Sequence, residues 1–148
     1  MLLALDLGTN LGYAVGEGKN PIRYGTHNLA NKKGDGAGMR FLRFRQWLDL
    51  VHVTWGVSEI GFELVPGAAH VSGDAAHAYG GYMATLQAWA EENKIPYAGY
   101  GIGAIKKHAT GKGNAKKDAM VEAAERDGFT PDSDNAADAI HLFRLIRK

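Results

Sequence analysis

Residues 2–10 read Leu2-Leu3-Ala4-Leu5-Asp6-Leu7-Gly8-Thr9-Asn10: an apolar run broken by one acid and closed by a Gly-Thr-Asn turn. A short continuous apolar run before a turn signal predicts a strand covered on both faces, since neither alternating set of side chains tolerates water. Asp6 is out of place in such a strand. An isolated carboxylate in apolar surroundings is costly, or takes up a proton to become neutral. Either Asp6 caps the turn through the neighbouring backbone, or something positive meets it.

Two further acids share the difficulty. Glu63 sits inside "IGFELV" (60–65), and Asp138 inside "NAADAIHLF" (135–143). Taken singly, Glu63 can pair with an arginine and Asp138 can favour a helix N-terminus. Taken together, the three admit one shared solution, convergence at a sheet edge around hard divalent cations. Mg²⁺ takes a few carboxylates plus waters and substrate phosphate, and two such ions can activate water and stabilise the leaving oxygen of a phosphodiester. Asp132 and Asp134 are ordinary N-cap candidates for the helix that carries Asp138. Asp134 and Asn135 also lie four and three residues before Asp138, on its helical face, so either can add a fourth ligand.

Working outward, "GYAV" (12–15) and "IRYGTHNL" (22–29) read as strands two and three of an antiparallel meander. "NKKGDGAG" (31–38) is a polar glycine loop. Phe41, Phe44, Leu48 and Val51 recur at helical spacing over 39–53. Residues 59–65 read as a strand and 73–93 as a helix with Ala75, Tyr79, Tyr82, Met83, Leu86 and Trp89 on one stripe. Residues 96–101 read as a strand. Two helices follow, near 115–126 and 135–147, with Gly128 ending the first. The expected class is α/β: a five-stranded mixed sheet, three antiparallel strands then two parallel ones, flanked by helices.

The length of 148 residues predicts one domain over 1–148, and 45% hydrophobic residues are enough for a core. No cysteine is present, which excludes a disulfide framework and thiolate chemistry and suits a reducing compartment. The apolar start is too short for a signal peptide and no stretch is long enough to span a bilayer, so the expected location is cytoplasm. Net charge is only +1, but its distribution is uneven. "AIKKHATGKGNAKK" (104–117) carries Lys106, Lys107, Lys112, Lys116 and Lys117 with no acid, and "MRFLRFR" (39–45) adds Arg40, Arg43 and Arg45. Such local fields attract a polyanion even when the sum is near zero. On composition alone, the lysine segment reads as a solvated basic loop.

"LALDLGTNLGYAV" (3–15), "IGFELV", "IKKHATGKGNAKKDAMV" (105–121) and "DNAADAIHL" (134–142) occur in the order and spacing of the RuvC-type Holliday-junction resolvases. That family belongs to the RNase H-like superfamily, and the resemblance runs over nearly the whole chain. It implies an RNase H-like nuclease fold and a homodimer that cuts four-way and other branched DNA with Mg²⁺ or Mn²⁺, two ions per site. It implies DNA recombination and repair in a bacterial or phage-infected cell; the small chain resembles a phage or prophage member. By the same resemblance Asp6, Glu63 and Asp138 match the metal-binding acids, and Lys106 and Lys117 match lysines that hold the scissile phosphate. Lys107, Lys112, Lys116 and Arg40 are expected to contact the DNA backbone. The family's remaining ligand position falls on Asn135, a weaker donor than a carboxylate, with Asp134 adjacent. Pro66 stands where the family often carries an aromatic wedge, and His70 is the nearest flat ring, which implies looser junction selectivity. The helix over 73–93 corresponds to the family's dimer region, although a helical aromatic stripe is more often core.

Three other readings compete. The opening is also similar to that of YqgF-like RNase H-fold proteins, which predicts RNA substrates; the "TGKGNAKK" segment opposes this. "DLGT" resembles the phosphate loop of actin-like ATPases, but these close two such domains over a nucleotide, so no nucleotide cofactor is expected. A degenerate resolvase would bind junctions without cutting, a reading that Asn135 favours and the three intact acids oppose.

Overall fold

The computed structural model describes residues 1–66, 69–70 and 72–148. Three strands come first: β1 (Leu2–Asp6), β2 (Asn10–Gly16) and β3 (Arg23–Asn28). They are followed by α1 (Met39–Trp55), β4 (Glu59–Leu64), α2 (Gly73–Glu92) and β5 (Tyr97–Gly101). The chain closes with α3 (Ile102–Thr110), α4 (Lys117–Arg126) and α5 (Asp134–Arg147). The strands form one five-stranded sheet in the order β3-β2-β1-β4-β5. β1–β2 and β2–β3 are antiparallel, and β1–β4 and β4–β5 are parallel. This is the mixed sheet that the sequence pattern predicts.

The apolar run of β1 is explained by its central place. Leu2, Leu3, Ala4 and Leu5 are all fully buried. Alternation sends Leu3 and Leu5 into a core shared with Phe44 and Leu48 of α1 and Leu86 and Trp89 of α2. It sends Leu2 and Ala4 to the opposite face, under Ile140 and Phe143 of α5, Ile105 of α3 and Met120 of α4. Asp6 continues the second set, so it points to the side that α5 covers. The stripe on α2 is core: Tyr79, Tyr82, Leu86 and Trp89 are buried against α1 and the sheet.

Three sequence expectations need correction. α3 is additional to the sequence pattern; residues 102–110 form a helix where the lysines and glycines suggest a loop. It has one fully buried contact, Ile105, and ends at Gly111, which takes the left-handed conformation (φ 83°) and donates its N–H to the Lys107 carbonyl at 2.8 Å. The cap of α5 is neither Asp132 nor Asp134 but Ser133, whose Oγ accepts from the Ala136 N–H at 3.0 Å. Asp132 instead accepts a hydrogen bond from Thr26 Oγ1 at 2.7 Å, tying α5 to β3, while Asp134 is the first helical residue. β2 is also longer than its four-residue apolar segment, because Asn10 and Gly16 still pair with β3 and β1 respectively.

The docking of α5 depends on one glycine. Gly12 pairs with Asp6 across the β1–β2 ladder. A Cβ placed there would overlap the backbone carbonyl of Asn135. The first turn of α5 therefore rests directly on bare backbone next to Asp6, which is how Asp138 reaches the end of β1. Gly12→Ala should lower stability by roughly 1–3 kcal/mol, as overpacking does. Gly80→Ala, inside α2 with open space around its missing Cβ, should leave stability unchanged or raise it by up to about 1 kcal/mol. Thermal melts of the two variants check this contrast.

Candidate metal centre and nucleic-acid face

β1 and β4 lie side by side and run the same way, and their last paired residues are Leu5 and Phe62. Asp6 and Glu63 come next on each strand, so both acids stand at the carboxyl end of the β1–β4 pair, the usual place for a site in sheets with parallel strands. Asp138 comes from α5, which crosses β1 and β2. One carboxylate oxygen from each of Asp6, Glu63 and Asp138 lies within 4.8 Å of the others. Glu63 is buried, and the other two are half-buried. They line a cleft of about 410 Å³, together with Thr9, His70, Tyr79, Lys117, Asp134 and Asn135.

The electrostatics follow from burial first and crowding second. Burial pushes the Asp6 carboxyl well above the ordinary carboxylate range, and the charges of Glu63, Asp138 and Asp134 push it further. Asp138 is raised to about 7, first by burial and then by Glu63 and Asp134, with Lys106 and Lys117 acting in the opposite sense. Glu63 is also raised by burial, while a hydrogen bond with Asp6 and the charge of Lys106 oppose the rise. Close carboxylates cannot all ionise without a counter-charge. The donor set is all oxygen, hard and anionic, and it is under-compensated by the neighbouring lysines. It fits Mg²⁺ or Mn²⁺.

The other residues singled out in the sequence fall into groups. Asp134 and Asn135 both line the cleft, as their spacing to Asp138 suggests. Asp134 Oδ2 lies 3.6 Å from Lys117 Nζ, and the Asn135 carbonyl faces Gly12. Lys117 opens α4 and is highly exposed. Lys106, half-buried on α3, shares an adjoining hollow with Asn114, Lys116 and Lys117. Lys107 and Lys112 are exposed on the same lysine segment but line neither hollow. Arg40 lies apart, on α1, in another hollow with Asn31, Asp74 and His77; Ala78 borders both that hollow and the acid cleft. Pro66 is exposed, and His70 lines the cleft with its ring 5.0 Å from that of Tyr79. Gly67, Ala68 and Val71, in the stretch where a wedge is expected, lie outside the described residues. Thr9 and Tyr79 also line the cleft, and the sequence does not mark either as a site residue. Thr9 reads as a turn residue and Tyr79 as one more aromatic of the α2 stripe, with no local signal to single either out.

No family model matches the chain, and no curated protein matches it in sequence. Solved structures do. RuvC of Thermus thermophilus matches with a TM-score of 0.75 at 18% identity, over 97% of this chain and 91% of that one. The T. thermophilus RuvC in complex with Holliday junction substrate matches with a TM-score of 0.77 at 18% identity, over 97% and 90%. The yeast mitochondrial Holliday junction resolvase Ydc2 matches with a TM-score of 0.64 at 14% identity, over 97% and 77%. The chain has the RuvC-type, RNase H-like fold. Among the described residues no helix is long and apolar enough to cross a membrane.

The raised carboxyls predict an unusual pH dependence for the metal-free protein. Their folded-state pKa values lie above the unfolded ones, so the folded chain binds more protons and loses stability as pH rises from the ordinary carboxylate range to about 7. The loss across that window should be on the order of 4 kcal/mol from Asp138 alone. Asp6→Asn should flatten the dependence and raise the metal-free melting temperature at pH 7.5 by roughly 3–6 °C. Melts in chelator at a series of pH values check both.

Proposed function

We propose that the protein is a divalent-metal-dependent DNA endonuclease that hydrolyses phosphodiesters in branched DNA, Holliday junctions foremost, and acts as a homodimer so that paired strands are cut symmetrically. The observation that carries this reading is the convergence of Asp6, Glu63 and Asp138, from three separate elements, within 4.8 Å of one another. Two features support it: the RuvC-type fold, and the lysines that flank the acids on one side. Recombination and repair, in the cytoplasm of a bacterial or phage-infected cell, are the setting such an activity serves.

In this proposal the three carboxylates hold Mg²⁺ or Mn²⁺, two ions as the donor count allows, with Asp6 central between Glu63 and Asp138. Bound there, the ions would supply Lewis-acid stabilisation of the developing phosphate charge and a nucleophilic water at neutral pH. Asp134 serves at the margin; its carboxylate is the stronger donor than the Asn135 amide, and Lys117 beside it shares its charge. Lys106 and Lys117 face the phosphate and steady the charge that builds on its oxygens during in-line attack. Lys107, Lys112 and Lys116 anchor the flanking backbone, and Arg40 contacts an arm of the DNA that passes beyond Ala78. No covalent protein intermediate is required. Without an aromatic at Pro66, selectivity among branched structures is relaxed.

The test uses labelled four-way, three-way, splayed-arm and linear DNA with Mg²⁺ or Mn²⁺, and the cuts are mapped. Branched substrates should be cut and linear duplex spared. Cleavage of structured RNA with no cut in DNA would place the chain with the YqgF-like proteins, and tight junction binding without any cut would mark a degenerate binder. Asp6→Asn should lower cleavage by at least about a thousandfold, the scale of losing a principal transition-state stabiliser, and leave junction affinity unchanged or higher. Lys106→Ala and Lys117→Ala should slow cutting more than they weaken binding. Binding itself should fall steeply with salt, because basic residues displace counterions from the phosphates.

A further inference from the structure

The β1–β4 ladder stops one residue short of the acids, at Leu5 and Phe62. The backbone of β4 then has a problem to solve. Ile60 donates its N–H to the Pro96 carbonyl at 3.0 Å, toward β5. Backbone groups of successive strand residues face opposite neighbours, so Phe62 and Leu64 also face β5, and Glu63 and Val65 face the β1 side. β1 no longer pairs there, which leaves the Glu63 carbonyl and the Val65 N–H without a strand partner, and buried backbone groups in that state are costly. Tyr79 of α2 supplies the partner. Its hydroxyl donates to the Glu63 carbonyl at 2.8 Å and accepts from the Val65 N–H at 3.1 Å. The ring is buried, 7% exposed, and lines the acid cleft. One side-chain hydroxyl thus stands in for the missing length of β1, at the point where the two strands part and their acids face each other without a ladder between them.

We infer that Tyr79 is a positioning residue for Glu63: its hydroxyl fixes the backbone on both sides of that acid and so sets the direction in which the carboxylate enters the metal centre. The inference rests on the metal-centre reading given under Proposed function. Tyr79 touches neither metal nor substrate in this role and acts only through Glu63. It also ties the centre to α2, whose far end packs in the core through Leu86 and Trp89.

Tyr79→Phe keeps the ring and its packing but deletes both hydrogen bonds. Calorimetric Mn²⁺ titration should show affinity weakened tenfold or more, and the Val65 amide should exchange with solvent at least tenfold faster in metal-free protein. Leu86→Ala, a fully buried change on the same helix, serves as the stability control. It should melt at a lower temperature than Tyr79→Phe yet keep Mn²⁺ affinity within about twofold of wild type. Wild-type affinity in Tyr79→Phe, or an equal loss of affinity in Leu86→Ala, would overturn the positioning role while leaving the metal centre standing. Failure of the wild-type protein to bind Mn²⁺ at all would instead sink the metal centre, and the inference with it.

Discussion

The burial of three carboxylates in one crowded cluster governs this molecule. Asp6, Glu63 and Asp138 stand within 4.8 Å of one another in partly dry surroundings, and each is raised above the ordinary carboxylate range. No fold assembles such a cluster for stability, since uncompensated buried charge is costly. The frame around it has to hold the acids together against the cost of burying them side by side. Fully buried β1 residues, the parallel β1–β4 register and the close seat of α5 on Gly12 provide that frame.

Local compensation is present but incomplete. Lys106 lowers Glu63 and Asp138, and Lys117 lowers Asp138 while lying 3.6 Å from Asp134. Neither lysine cancels the effect of burial. What remains is an excess of anionic oxygen donors beside a lysine-lined hollow, an arrangement suited to binding cations at its centre and a polyanion across its face. Whatever supplies the missing positive charge also relieves the cost of folding around the cluster.

Much of this was legible in the sequence, for physical reasons that differ by element. β1 could be read because a centrally placed strand must be apolar on both faces, and that made Asp6 conspicuous. Glu63 stood out in the same way within β4. Asp134, Asn135 and Asp138 could be placed on one face by helical spacing, and all three line the cleft. α3 could not be read, because nine residues with a single fully buried contact and two adjacent lysines give no apolar period. The α5 cap is hard to place from sequence because two aspartates flank Ser133 and both residue types cap well; Asp132 is drawn away by Thr26, a partner distant in sequence. Tyr79 was invisible as anything but core, since its hydroxyl meets backbone sixteen residues away across a sheet opening that no local pattern announces.

If the acid cluster is a divalent metal centre, crystals grown with Mn²⁺ should reveal it by anomalous diffraction. Anomalous density is expected among the carboxylates of Asp6, Glu63 and Asp138, and its loss in Asp6→Asn. Density elsewhere, or none at this cluster under saturating Mn²⁺ with the three carboxylates in place, would contradict it.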